Sequence, residues 1–168
     1  MELPKRKPNR LPNFDYSAPG AYFITICVEG KRCILGDIVG GGDLDAPKVA
    51  LTKMGRIVQR NIELSEQIPN IHVEKYVIMP NHIHLILFID RACSSGTSRS
   101  PSPTNAVVPH FVSTFKRFCH RDVGEKIFQR SYHDHVIRGE KDYLKIWEYI
   151  DTNPTRWKED CFYQEETL

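Results

Sequence analysis

Hydrophobic and polar positions change period several times along the chain, and each change marks an element. Residues 21–28, Ala21-Tyr22-Phe23-Ile24-Thr25-Ile26-Cys27-Val28, are rich in β-branched and aromatic side chains and follow the turn pair Pro19-Gly20, which predicts a buried strand. A second short strand is expected over residues 32–38, followed by a turn or loop at Gly40-Gly41-Gly42-Asp43 and Pro47. That glycine run lacks a Gly-Lys-Ser/Thr ending and a helix start behind it, so it is not a phosphate loop. Met54, Ile57, Val58, Ile62 and Ile68 then recur at roughly helical spacing behind Thr52, a plausible N-cap, and predict an amphipathic helix over 52–67 that ends at Pro69-Asn70. Two apolar runs, 73–79 and 82–89, flank Pro80-Asn81 and predict adjacent antiparallel strands joined by a tight turn.

Residues 91–106 are dominated by serine, proline and glycine, a composition expected to leave a flexible loop. A helix over about 109–123 would turn Val112, Phe115, Phe118 and Cys119 inward and leave Lys116, Arg117 and Arg121 outside. Residues 128–138 read as extended, and 140–152 as a helix stopped by Asn153-Pro154. This order of strands and helices predicts an α+β fold, helices packed on an antiparallel sheet.

A length of 168 residues with 40% hydrophobic content suits one domain with a real core. No run approaches a membrane span, and the Met1 to Arg10 segment is Pro-rich and charged rather than signal-like. Five cysteines, at 27, 33, 93, 119 and 161, show neither paired-ligand spacing nor a disulfide framework, which fits a reducing cytoplasm. The net charge of +2 is too small to identify a nucleic-acid binder, so charge distribution has to do so. Lys5, Arg6, Lys7 and Arg10 make a basic arm within residues 1–13, and Lys116, Arg117 and Arg121 make a second cluster.

The chemically distinctive stretch is Pro80-Asn81-His82-Ile83-His84-Leu85-Ile86-Leu87. On a strand His82 and His84 share a face while Ile83, Leu85 and Leu87 take the other, so two imidazoles could hold one divalent metal. Packed core histidines are the alternative, and Tyr132-His133-Asp134-His135 is a rival constellation with its own His-x-His. Tyr149 and Asn153, four apart, lie on one face of the last helix, and Tyr143 lies on another. A tyrosine can attack phosphorus and conserve the cleaved bond as an ester, with a metal at His82 and His84 polarising the phosphate and the Asn153 amide oxygen completing its coordination. A zinc-dependent hydrolase built on His82, His84 and His135 is a further possibility from the residues alone.

Four segments in order, Asp15-Tyr16-Ser17 with residues 20–27, Val77 to Leu85, Tyr132 to Arg138, and Tyr149-Ile150-Asp151-Thr152-Asn153-Pro154, resemble the REP-associated tyrosine transposases of the HUH nuclease superfamily, a group of IS200-like single-tyrosine transposases. The resemblance implies a ferredoxin-like, RRM-like fold, with His82 and His84 as the metal pair, Tyr149 as nucleophile and Asn153 assisting the metal. It leaves His135 as a candidate support for the ligands and Tyr132 as a structural or DNA-contacting neighbour. It further implies cleavage and rejoining of single-stranded DNA at palindromic hairpins through a 5′-phosphotyrosine, with Mg2+ or Mn2+ as cofactor and a homodimer as one possible assembly. The basic residues 5, 6, 7, 10, 116, 117 and 121 would follow phosphates, and a non-catalytic hairpin-binding protein is the alternative.

Overall fold

The computed structural model describes residues 14–41, 46–90 and 106–163. Its strands are β1 (Gly20–Cys27), β2 (Gly36–Val39), β3 (Lys48–Leu51), β4 (Ile71–Ile78), β5 (His82–Ile89) and β6 (His133–Val136). Its helices are α1 (Lys53–Ser65), α2 (Val107–Val123) and α3 (Glu140–Thr152). Four strands form an antiparallel sheet in the order β4-β5-β1-β6, while β2 and β3 pair separately as a small hairpin. With that hairpin set aside, the order β1-α1-β4-β5-α2-β6 and the central pair β1 and β5 give the ferredoxin-like α+β arrangement expected from the sequence.

The sheet is covered on both sides, so its central strands are buried on both faces. On one face Ile24, Ile26, Ile83, Leu85 and Leu87 pack against Val58 and Ile62 of α1 and Val112, Phe115 and Cys119 of α2. On the other, Ala21 and Ile86 pack with Ile146 and Ile150 of α3, and Phe23, Val77, Phe88 and Trp147 border them. Each fully buried aliphatic side chain of β5 contributes about 1.5–3 kcal/mol by leaving water. The alternation expected at residues 82–87 is therefore real: the isoleucine and leucines enter the main core, and the histidines point to the side that α3 covers.

Local signals account for the helix ends. Thr52 caps α1, its Oγ1 accepting the Gly55 N–H at 3.1 Å, and its hydroxyl donates to Ile34 O. A Cβ on Gly55 would run into the Leu35 carbonyl, so glycine sets how closely α1 approaches that segment. Gly124 ends α2 in the left-handed region, φ 91°, with its N–H returning to His120 O. Between β4 and β5 the turn at Pro80-Asn81 closes with Met79 N–H to His82 O at 2.8 Å.

Most element ends shift by one or two residues, and three regions depart further from the sequence expectation. The second strand is Gly36–Val39 rather than 32–38, and its partner Lys48–Leu51 was assigned to no element; it has four residues, half-exposed, with no period long enough to read. Ala106, expected in the flexible stretch, is the buried N-cap of α2, while residues 91–105 lie outside the described residues. The extended run 128–138 supplies a strand only over His133–Val136, plus a single bridge from Phe128 to Val28. The carbonyls of Gln129, Arg130 and Ser131 are instead occupied by the Lys116 ammonium, at 2.8, 3.3 and 2.8 Å.

Lys116 thus corrects an expectation. It was placed on the outside of its helix, yet it is 7% exposed, and burial pushes its pKa down to about 8. An ammonium satisfied by three carbonyls clamps α2 to the segment entering β6. Lys116→Ala would strand those carbonyls and is expected to lower unfolding stability by about 2–4 kcal/mol in urea denaturation.

Candidate metal and nucleophile site

Strand β5 sets His82 and His84 opposite Cys27 and Thr25 of β1. The two rings converge, with Nε2 to Nε2 at 2.9 Å. Their other nitrogens are held from behind: His82 Nδ1 lies 2.9 Å from Asn81 Oδ1, and His84 Nδ1 lies 2.8 Å from Thr25 Oγ1. Asn81 Nδ2 donates to the carbonyls of Lys31 and Phe162, which fixes Oδ1 as the atom facing His82.

Aromatic rings close the pair off from water. Phe23 stacks on His84 at 5.1 Å, Phe162 lies 4.6 Å from His82, and Trp157 lies 5.9 Å from His82. The histidines are 0% and 1% exposed. Desolvation pushes the His82 pKa down to about 4, and drives His84 well below its usual value with help from its neighbour. Both rings are neutral at physiological pH.

That burial makes a pH prediction. Between pH 6.5 and about 4 the unfolded chain binds protons that the folded His82 ring refuses, so stability rises with pH and falls on acidification. The loss attributable to His82 is on the order of 3 kcal/mol. Urea midpoints measured in chelator across that window should show it, with a flatter profile in His82→Gln.

Helix α3 brings in the tyrosine. Tyr149 and Asn153 do share a face, and the Tyr149 hydroxyl lies 3.3 Å from His84 Nε2. It donates to Asp160 Oδ2 at 3.1 Å, which also accepts Asn153 Nδ2 at 2.8 Å, while Asp160 Oδ1 accepts the Phe162 N–H at 2.7 Å. Burial, reinforced by the Asp160 carboxylate, raises the Tyr149 pKa above its usual value, so the resting phenol keeps its proton.

Asp160 is the candidate site residue that sequence reasoning missed. Ligand atoms of His82, His84 and Asp160 all lie within 4.8 Å of one another. The oxygen beside the histidines is this carboxylate, and Asn153, expected to assist the metal directly, spends its amide nitrogen orienting it. Asn153 Oδ1 is buried without a hydrogen-bond partner. Two neutral imidazole nitrogens, a carboxylate and a spare buried amide oxygen fit a divalent cation.

The other candidates are spread out. His135 donates its Nε2 to, or shares a proton with, Asp142 Oδ2 at 2.8 Å, and Asp142 also accepts the Arg138 N–H, so the pair pins β6 to the first turn of α3 instead of supporting the ligands. Among the described residues the one group of potential metal ligands that comes together is His82, His84 and Asp160, and neither His135 nor His133 belongs to it. Tyr132 itself is buried in the main core. Tyr143 packs against Trp147 and Phe88, away from the histidines.

Arg117 and Arg121 are exposed as expected, flanking the Phe118 ring at 5.4 and 4.8 Å, and Arg121 also pairs with Asp122. Phe118, expected inside, is 37% exposed. Lys5, Arg6, Lys7 and Arg10 lie outside the described residues. Among the described residues no helix is long and apolar enough to cross a membrane.

No family model matches the chain. An uncharacterized protein of Haemophilus influenzae (strain Rd) is 31% identical over 173 residues, which cover 94% of this chain and 93% of that protein. Among solved structures, a REP-associated tyrosine transposase bound to a REP hairpin is similar, with a TM-score of 0.57 at 19% identity over 94% of this chain and 74% of that one. The chain therefore belongs to one family with the Haemophilus influenzae protein, and its fold is that of the REP-associated tyrosine transposase.

Proposed function

We propose that the protein is a single-tyrosine DNA transposase that cleaves and rejoins single-stranded DNA beside a hairpin. The observation that carries this reading is the Tyr149 hydroxyl, 3.3 Å from His84 and hydrogen-bonded to Asp160, at the only cluster of potential metal ligands among the described residues. The fold shared with a hairpin-bound transposase supports it.

His82, His84 and Asp160 would hold Mg2+ or Mn2+, which would polarise the scissile phosphate and offset the charge that develops on it. Tyr149 Oη attacks phosphorus as its proton passes to Asp160 Oδ2, so the phenol need not ionise at rest. The new Oη–P bond replaces the P–O3′ bond, leaving a 5′-phosphotyrosine. The proton given up by the phenol balances the one gained by the departing 3′ oxygen. Attack on the adduct by another 3′ hydroxyl reverses the exchange and joins strands. Nucleophile and ligands come from one chain, so a dimer is not needed to complete the site.

The segment carrying Trp157 and Phe162 has to shift for a phosphate to reach the covered histidines. A cleft of about 290 Å3 lined by Trp157 together with Asp37, Pro80, Lys158 and Tyr163 offers the strand a path. Arg117, Arg121 and the basic arm 1–13 are proposed to follow phosphates elsewhere.

The test is a labelled single-stranded hairpin oligonucleotide incubated with the full chain and Mn2+ or Mg2+. A detergent-resistant adduct that maps to Tyr149 and disappears in chelator is expected. An adduct on Tyr132 or Tyr143, nicking without an adduct, or hairpin binding with neither would overturn the reading, the last in favour of a non-catalytic binder.

A further inference from the structure

The ring of Phe162 is faced by basic side chains. Its centroid lies 4.6 Å from the ring of His82, 6.1 Å from that of His84 and 6.4 Å from that of His133, and the Lys31 ammonium stands 5.9 Å away. These four come from three separate stretches: Lys31 follows β1, the histidine pair lies on β5, and His133 opens β6. His133 stands opposite Thr25, which stands opposite His84, so the three share a face of the sheet. A phenyl ring gives such neighbours only a weak attraction, whereas an anion would accept a charge-assisted hydrogen bond from the ammonium and an N–H bond from an imidazole.

The backbone holds Lys31 there at a cost. It is one of two non-glycine residues with positive φ among the described residues, at 55°, and it directly follows Gly30 at 65°. A side chain in the left-handed region is strained, so the surroundings must impose it. Lys31 N–H donates to Val28 O at 3.0 Å, and Lys31 O accepts Asn81 Nδ2 at 3.2 Å. The same Asn81 faces His82 with its Oδ1 and donates to Phe162 O at 2.9 Å. One side chain therefore ties the strained lysine and the covering ring to a histidine of the site. Among the described residues no carboxylate pairs with Lys31, and Glu29, two positions earlier, pairs with Lys126.

Resting on the proposed function, we infer that the Phe162 ring occupies the place of the scissile phosphate, and that Lys31 and His133 bind the phosphate's non-bridging oxygens once the ring withdraws. The strain at Lys31 is spent on keeping an ammonium beside the histidines without a carboxylate to neutralise it. Withdrawal of one ring uncovers His82 and frees that ammonium in the same motion, so the ring and a phosphodiester compete for one position.

The test is a methylphosphonate scan. A labelled hairpin oligonucleotide with a single-stranded flank has each flank phosphate replaced in turn by a neutral linkage, and its affinity for the full-length Tyr149→Phe protein, which leaves it uncut, is read by anisotropy in Mg2+. One linkage should stand out, its neutralisation weakening binding about 10-fold or more. Adding Lys31→Met should remove that contrast, weaken binding to the unmodified strand by a similar factor and lower the salt slope by about 0.7, while Lys31→Arg should keep all three. His133→Gln should reduce the contrast in part, and Phe162→Ala should speed association. A flat scan, a contrast that survives Lys31→Met, or association no faster in Phe162→Ala would overturn the inference even if a Tyr149 adduct forms in the unaltered chain. A Lys31-dependent contrast with no adduct in the unaltered chain would instead support the phosphate position and overturn the transposase reading.

Discussion

Tyr149→Phe is expected to abolish adduct formation and nicking, with a fall of about 10^4-fold or more, the scale on which loss of a covalent nucleophile acts. The substitution removes one oxygen and leaves the ring, which packs edge-on to Phe23 and against His84 at 5.1 Å, so fold and hairpin affinity should be nearly unchanged. Gel-shift and adduct assays on the same preparation separate the two effects. Retained binding with lost cleavage assigns the hydroxyl to chemistry, whereas parallel loss of both would mean that the tyrosine mainly supports α3.

The second large effect is expected at Asp160. Asp160→Asn keeps the shape of the side chain but removes the charge beside the histidines and offers a poorer acceptor to the Tyr149 proton. Replacing groups that merely orient ligands weakens metal sites by about 10–100-fold, so a carboxylate in the ligand set should lower Mn2+ affinity by at least about 100-fold. Strand cleavage should fall further, because the proton acceptor is lost at the same stroke. Asn153→Ala, which removes the residue orienting that carboxylate, should cost about tenfold in Mn2+ affinity measured by paramagnetic titration. If Asn153→Ala proves the more damaging of the two, the amide oxygen and not the carboxylate is the third ligand.

How much of this was legible before the structure depended on whether a residue's role is local. His82 and His84 could be paired because alternation on a strand is fixed by the backbone, and Tyr149 and Asn153 because four residues make one helical turn. Asp160 sits after the helix beside the short 3-10 turn Trp157–Glu159, where no period links it to anything, and only the fold of the following residues returns it to the histidines. Lys116 is the opposite case. Its position, four after Val112 and three before Cys119, is on the buried stripe of α2, but its residue type argued for solvent. For Lys116 the spacing was the better guide, whereas Phe118, three after the buried Phe115, lies at the edge of the stripe and is 37% exposed. Lys48–Leu51 were unreadable because a four-residue strand is defined by its partner.

The histidines occupy a strand hydrogen-bonded to neighbours on both edges and covered by side chains on both faces. Local openings that expose amides elsewhere cannot expose these without dismantling the sheet. In hydrogen–deuterium exchange the amides of residues 83–87 should therefore be among the slowest, exchanging only through global unfolding. The two imidazoles would then have no softer failure of their own: as the protein is heated, their convergence and the fold should be lost together.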